Sequence, residues 1–262
     1  MLNVYTHIGV RSQNGASRGL VASALLVCAM LAAFPAAGDP LSDLRAVLQR
    51  YPAKAPFAAS ASLQMNSDAQ GAKGARSGSE IFEVEFGPRG LMIRVPAAAL
   101  GVAETEAENR RRDLTPTRTA MVALTIFDVI DAMNAAAMLL NDLDSATLID
   151  QTSSARAGKP ATLLRIKVKP TLADASSRFL NEPKIELRVW IDSSGTPLAA
   201  ERDSSYSASF LLFLKAGNIR KERWELVVSG DRLYASRNDE DDRAFAVGKS
   251  IATSRSVTYL PK

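Results

Sequence analysis

The chain has 262 residues, of which 47% are hydrophobic, 23% charged and 6% aromatic. This length and composition predict a globular protein with a substantial core, and they exclude disordered, collagen-like and disulfide-scaffold classes. The formal net charge of +4 falls to +2 once Arg11 and Arg18 of the first segment are discounted, so charge alone does not indicate binding to nucleic acid.

The chain contains one histidine, His7, and one cysteine, Cys28, and both lie in its first segment. If that segment is removed, the working protein has no Ser-His-Asp triad, no Cys-His pair and no zinc site built from His and Cys. A Gly-x-Ser-x-Gly motif is also absent from 39–262, and the one match in the sequence, at 15–19, lies in the same first segment. We therefore expect a protein that is not an enzyme and that carries neither a metal ion nor a cofactor.

Residues 1–38 have the three parts of a secretory signal peptide. Arg11 and Arg18 precede an unbroken apolar run at 20–34, and small residues follow before the first acidic residue, Asp39. An exported chain without a second cysteine suits the bacterial periplasm, so we expect a periplasmic protein with one mature domain over 39–262.

Two alternatives to cleavage stay open. The uncharged stretch 19–38 is long enough to remain as an inner-membrane anchor. Cys28 could instead accept a lipid, although Leu26 and Val27 are not the small residues that precede a lipidated cysteine; an apolar position within the signal peptide explains it better.

The mature chain is predicted to open with a short amphipathic helix at 42–51, ended by Pro52. A weak strand follows at 57–64. Two clearer strands at 81–86 and 91–95 form a hairpin, in which alternate residues such as Phe82, Val84 and Phe86 share one face.

The middle of the chain is predicted to be a helical insertion at about 97–143. Its second part, 116–143, is expected to be one long helix with Thr115 as N-cap and Pro116 at the first position. Its polar residues form only a narrow stripe, which includes Asp128 and Asp131. Such a helix must be largely buried or must cover a hydrophobic cavity. The two aspartates are interpreted as solvated, with a general acid/base pair as the alternative.

From residue 146 onwards the pattern predicts strands joined by short turns, at 147–152, 162–169, 184–192, 197–203, 206–214, 223–229, 232–236 and 256–260. The fold class is therefore α+β, with about ten strands in a single curved antiparallel sheet. Trp190 and Trp224 are interpreted as strand packing.

Three polar segments are candidate ligand sites. The glycine-rich stretch 71–78 lacks P-loop spacing and is expected to be a hairpin loop. The acidic run 238–242 is expected to be a solvated loop, with a calcium site as the alternative. The basic run 110–112 is expected to be a solvated helix end or loop, with a phosphate or lipid headgroup contact as the alternative.

An exported chain with the helix 42–51, the hairpin 81–95, the helix 116–143 and the strands over 184–236 resembles the LolA/LolB superfamily. The resemblance implies an incomplete β-barrel with helices covering its concave face. It also implies an apolar pocket between sheet and helix that holds a lipid, an acyl chain or a lipoprotein anchor. The candidate lining residues are Phe82, Val84, Ile126, Phe127, Ile130, Met133, Leu187 and Val189.

Two functions follow from this resemblance and its alternative. The first is a non-enzymatic periplasmic protein that binds a hydrophobic ligand and touches membranes only peripherally. In the second, the same side chains fill a dry core, and the protein is a structural or interaction module that contacts another envelope protein. No nucleic-acid partner is expected.

Overall fold

A computed structural model describes residues 38–70, 76–87, 90–108, 115–170, 180–210 and 214–262. The predicted signal peptide and its alternative as an anchor lie outside the described residues, apart from Gly38. The basic run 110–112 and residues 71–75 of the glycine-rich stretch lie outside them as well. Residues Pro40–Lys262 form one compact unit.

The fold class is α+β, as the sequence predicted, with one open antiparallel sheet of ten strands and five helices among the described residues. The helices are α1 (Pro40–Leu48), α2 (Ala97–Glu108), α3 (Pro116–Ala123), α4 (Ile126–Met133) and α5 (Ala135–Leu143). The strands are β1 (Phe57–Gln70), β2 (Arg76–Gly87), β3 (Gly90–Arg94), β4 (Ala146–Arg156), β5 (Lys159–Val168), β6 (Leu180–Ile191), β7 (Pro197–Phe210), β8 (Leu214–Ser229), β9 (Arg232–Ala246) and β10 (Lys249–Pro261).

The strand order is β3-β2-β1-β10-β9-β8-β7-β6-β5-β4. Sequential strands pair as hairpins, and the first and last strands of the chain meet where β1 pairs with β10. Short turns permit this meander, as at Gly195, whose φ of +82° fits the turn that the sequence predicted there. The sheet stays open, with β3 and β4 at its edges.

The two faces of the sheet differ in chemistry because side chains alternate along each strand. One face, here called the helical face, is covered by the helices and carries most of the core. One cross-strand row on it consists of Leu164, Val189, Ala200, Trp224, Asn238, Val257 and Leu63. The opposite face, here called the outer face, carries ion pairs such as Arg165–Glu186 and Arg188–Asp203.

The prediction of one long helix at 116–143 is wrong, because the structure divides this segment into α3, α4 and α5. Leu124 and Thr125 are extended, and Thr125 then begins α4 through a capping box with Asp128. Asn134 leaves helical geometry and caps α5 by accepting a hydrogen bond from the Ala137 N–H. Polar residues of the predicted solvent stripe, among them Asp128, therefore act as helix caps.

The predicted start of this helical segment at Pro116 is correct, but the side chain of Thr115 makes no capping hydrogen bond. Instead, the carboxylate of Glu106 in α2 accepts from the backbone N–H groups of Thr117 and Arg118, each at 3.1 Å. A side chain from the preceding helix thus satisfies the first donors of α3.

The prediction of a solvated acidic loop at 238–242 is also wrong, since these residues lie in the middle of β9. Alternation along the strand sends Asn238, Glu240 and Asp242 toward the helical face, and it sends Asp239 and Asp241 to the outer face. Cross-strand partners on β8 and β10, including several arginines, make this charged strand possible.

Candidate functional site: helix α4 and a buried ion cluster

The eight predicted lining residues divide into two groups in the structure. Five are at most 2% exposed and pack in the core between the helical face and the helices: Phe82, Val84, Met133, Leu187 and Val189. The other three, Ile126, Phe127 and Ile130, lie on the solvent side of α4. The structure therefore brings the first five into one core but does not bring the last three to it.

Helix α4 is apolar on both sides. Val129, Ala132 and Met133 point inward and are completely buried. On the other side, Ile126 is 59% exposed and Phe127 75% exposed. With Val122 of α3 and Ile130, these two residues form what we call the apolar ridge: Val122, Ile126, Phe127 and Ile130. Exposed apolar side chains on two successive helices make this ridge a candidate interaction or ligand site.

Two arginines from the sheet hold the ends of α4. Arg255 of β10 donates to the carbonyl of Ala123 at 2.7 Å, at the end of α3, and to the carboxylate of Asp128 in the first turn of α4. Arg232 of β9 donates to the carbonyl of Met133 at 2.8 Å, at the last residue of α4. Cations near the carboxyl ends of helices also interact favourably with the helix dipole.

Arg232 is 1% exposed and is satisfied by backbone carbonyls. Besides Met133, it donates to the carbonyls of Ala53 and Ala55. Its guanidinium also lies over the rings of Phe57 and Phe86, at 5.3 and 4.9 Å. Burial lowers the pKa of this arginine.

Arg255 belongs to a larger group of charged side chains between the sheet and helices α4 and α5, here called the ion cluster. Four members occupy one cross-strand row of the helical face, with the order Arg202, Glu222, Glu240, Arg255 on β7 to β10. The remaining members are Arg220, Asp128, Asp131 and Asp142.

The contacts within the ion cluster are close. Arg202 donates to Glu222 at 2.8 Å and to Asp142 at 3.2 Å. Arg220 pairs with Glu222 at 2.9 Å and with Glu240 at 3.0 Å. Arg255 pairs with both Glu240 and Asp128. Since these pairs are mostly shielded from solvent, they are screened by salt much less than surface pairs.

The ion cluster has five carboxylates and three guanidiniums, so its positive charges do not compensate every buried acid. Burial raises the pKa of Asp131, of Asp142 and of Glu240, and the arginines offset this only in part. Asp128 behaves differently: burial opposes its ionisation, but hydrogen bonds from Arg255 and Thr125 hold its pKa below the ordinary value. Asp128 is therefore the carboxylate that carries the firm ionic link between α4 and the sheet.

Sequence reasoning missed the ion cluster. The sequence marks Asp128 and Asp131 as a pair on one helix, but nothing local indicates that four strands place charged residues opposite them. The register of β7 to β10 brings these residues together. The sequence carries one signal of the cluster: some charged residues lie two positions from a core residue of the same strand, and therefore on the same face. Glu222 and Trp224 are an example.

The described residues contain no helix that is both long and apolar enough to cross a membrane. Nor do they contain a group of three or more His, Cys, Asp or Glu side chains arranged to hold a metal ion. What the arrangement can do is bind apolar surface through the ridge and couple the position of α4 to charges on the sheet.

Comparison of this chain with protein-family models, with curated protein sequences and with solved structures gives no match. The fold and the site together define an α+β protein with an open ten-stranded antiparallel sheet, helices on one face and a two-sided apolar helix held by buried arginines. The likeness to the LolA/LolB superfamily stays a prediction based on the order of the elements.

Proposed function

We propose that the protein is a non-enzymatic binder of a hydrophobic ligand, the acyl chain of a lipid or of a lipoprotein, and that α4 is the element that receives it. The observation that carries this proposal is the apolar ridge on a helix whose opposite side packs in the core. Phe127 is three-quarters exposed, and an exposed apolar side of a helix is a common contact for an apolar ligand or partner.

The strength of binding depends on where the acyl chain of the ligand lies. About ten methylenes half-covered on the open ridge supply roughly 4 kcal/mol, which corresponds to a Kd of about 1 mM before any cost of association. Full burial beneath α4 supplies roughly 8 kcal/mol, or a Kd of about 1 μM. A carrier that keeps its ligand therefore needs α4 to move from the sheet.

The extended residues on either side of α4 make such a movement feasible. Leu124 and Thr125 separate α4 from α3, and Asn134 separates it from α5. Movement of α4 as a unit breaks the hydrogen bonds from Arg255 to Asp128 and from Arg232 to the carbonyl of Met133, and it leaves the other helices in place. The ridge then serves as the first contact for the ligand, and the inner side of α4 as its cover.

The test is native mass spectrometry of the protein purified from the periplasm without detergent, followed by organic extraction and titration with a fluorescent fatty acid. We expect a lipid or acyl adduct that is lost in the Phe127→Asp variant. The matched control is Val247→Asp, since Val247 is also highly exposed but lies at the β9–β10 hairpin, away from the ridge.

A second candidate function, an envelope interaction module without a small-molecule ligand, is favoured by the filled core around Leu187 and Val189. A bare mass and no uptake of the fatty acid would support this second function. If Phe127→Asp and Val247→Asp reduce uptake equally, the ridge is not the binding element and the proposal fails.

A further inference from the structure

The outer face of the sheet carries a second feature, separate from α4. Two cavities of about 770 and 420 Å³ share Ile219 and Lys221 in their linings, so they form one continuous groove. We call it the transverse groove. Further members of its lining are Ile149 and Lys167 at one end and Arg243 and Ser254 toward the other.

The transverse groove runs across the strands. The register aligns one row of outer-face residues from β5 to β1, which are Lys167, Glu186, Asp203, Lys221, Asp241, Ser254 and Asn66. Six strand spacings of about 4.8 Å give a length of roughly 29 Å. An extended peptide of about nine residues covers that distance.

The carboxylates of this row are already paired with arginines of the adjacent row. Glu186 accepts from Arg165 at 3.2 Å, and Asp241 accepts from Arg223. Asp203 accepts from Arg188 in the same way. These arginines do not line the groove, and they neutralise the negative charge of its row in part, since Arg165 also pairs with Asp150 and Arg188 also pairs with Glu201.

The cations of the groove are left without such partners. Across the described ranges, Lys167, Lys184, Lys221 and Arg243 form no ion pair with any acidic side chain. Two acidic lining residues also lack a cationic partner in these ranges: Asp68, and Asp242, whose side chain turns toward the helical face and accepts a hydrogen bond from Asn218. The groove therefore presents an excess of unpaired positive charge along its length, which favours an anionic ligand.

The shape and lining favour a peptide over other anions. Ile149 and Ile219 are exposed isoleucines in the groove and suit apolar side chains placed between acidic ones. No aromatic ring belongs to the lining in the described part of the chain, so a nucleobase or a sugar has no platform on which to stack. A groove below the level of its flanking side chains also contacts a flat bilayer poorly.

We propose that the transverse groove binds an extended acidic segment of a partner protein, with apolar residues between its acidic ones. Recognition is by side chains, because the segment crosses the strands and does not pair with a sheet edge. This site is independent of α4, so its failure and the failure of the acyl-ligand proposal are distinguishable.

The experiment is fluorescence anisotropy of the exported protein with a labelled ten-residue peptide of alternating Glu and Leu. We expect the affinity to fall at least tenfold in Lys221→Glu and in Arg243→Glu, and to be retained within threefold in Lys221→Arg. The matched control is Lys159→Glu, an exposed cation at the far end of β5, which should change the affinity less than twofold. Phe127→Asp should have no effect.

A peptide of alternating Gln and Leu should bind at least tenfold more weakly, and binding of the acidic peptide should weaken as salt rises. Unchanged urea midpoints for the variants show that they fold. The proposal is overturned if Lys159→Glu weakens binding as much as Lys221→Glu, or if the Gln peptide binds equally well. It is also overturned if dextran sulfate or phosphatidylglycerol vesicles bind more tightly than the peptide through the same lysine.

Discussion

Replacement of Arg255 by methionine tests the ion cluster most directly, and we expect it to lower the free energy of unfolding by about 3–5 kcal/mol. The side chain is 9% exposed, and its partners Asp128 and Glu240 are 13% and 11% exposed. Methionine keeps the length of the side chain but leaves both carboxylates with less compensation, and the carbonyl of Ala123 loses its donor.

The structure places the expected cost near the lower end of that range. In the variant, Glu240 still has an ion-pair partner, Arg220, at 3.0 Å. The remaining cation near Asp128 is the same Arg220, at 3.9 Å. The cluster then has five carboxylates and two guanidiniums. Without Arg255, burial should raise the pKa of Asp128, so the loss of stability should be greater at pH 8 than at pH 5.

The assay is urea unfolding followed by the fluorescence of Trp190 and Trp224, with the slope checked for two-state behaviour. Arg237→Met is the matched control, because Arg237 pairs with Asp239 at 2.8 Å but is more than half exposed. A surface pair of this kind contributes about 0–1 kcal/mol. Adding Asp128→Asn to Arg255→Met should recover part of the loss, since asparagine retains the capping function without the charge.

The reasoning is refuted if Arg255→Met costs no more than Arg237→Met at pH 8. It is equally refuted if the cost is the same at pH 5 and pH 8, because an unpaired buried carboxylate must respond to protonation. A loss that Asp128→Asn fails to reduce would show that Asp128 is not the group left uncompensated.

Three further predictions concern the contacts between the helices and the sheet. Asp131, Asp142 and Glu240 have raised pKa values in the folded state, so the folded state binds their protons more tightly and the urea midpoint should rise as the pH falls from 8 toward 5. Below about 4, the ordinary pKa of an aspartate, the midpoint should decline, because the unfolded chain protonates Asp128 whereas the folded state, with its lowered pKa, keeps this residue ionised. Asp131→Asn should flatten this profile, and a midpoint that falls steadily from pH 8 to pH 5 contradicts it. Gly78→Ala should lower the free energy of unfolding in urea by about 1–3 kcal/mol, because a Cβ there would lie 2.5 Å from the carbonyl oxygen of Pro116. Gly101→Ala, with open space around it, should raise the free energy of unfolding by about 0.5–1 kcal/mol. Equal effects would mean that α3 does not pack on β2 at Gly78. Phe127→Asp should change the unfolding free energy by less than about 0.5 kcal/mol, and Val129→Asp should cost at least about 3 kcal/mol; the reverse order would show that α4 has the opposite orientation.

The sheet was largely predictable because its signals are local. Alternation at 81–86 and 184–192 predicted which residues are buried, and Phe82, Val84, Leu187 and Val189 are indeed core residues. Turn residues such as Gly195 predicted where strands reverse. A chain of strands joined by short turns can only form an antiparallel sheet, so the fold class followed.

The helical segment was predictable in its start and its composition but not in its breaks. An apolar run such as 116–143 satisfies the helical period throughout, so periodicity did not reveal that Thr125 and Asn134 begin new helices. Their side chains compete for backbone N–H groups, and packing against the sheet decided that competition in favour of three short helices.

The orientation of α4 and the ion cluster were decided by tertiary structure alone. Both sides of α4 are apolar, so hydrophobicity could not determine whether Phe127 or Val129 faces the sheet. Likewise, Arg202, Glu222, Glu240 and Arg255 are far apart in sequence and look like ordinary strand polar residues. They become one site only because the register of four strands places them in one row under Asp128.

By itself, the sequence determined the fold class, the strand faces and the absence of histidine and cysteine chemistry beyond the first segment, since these depend on residue type and short-range pattern. The tertiary structure decided which apolar residues are core and which form the ridge, and which charges are buried and which line the transverse groove. The physical reason is that burial and pairing are properties of the partners a residue meets, and strand register and helix packing supply those partners.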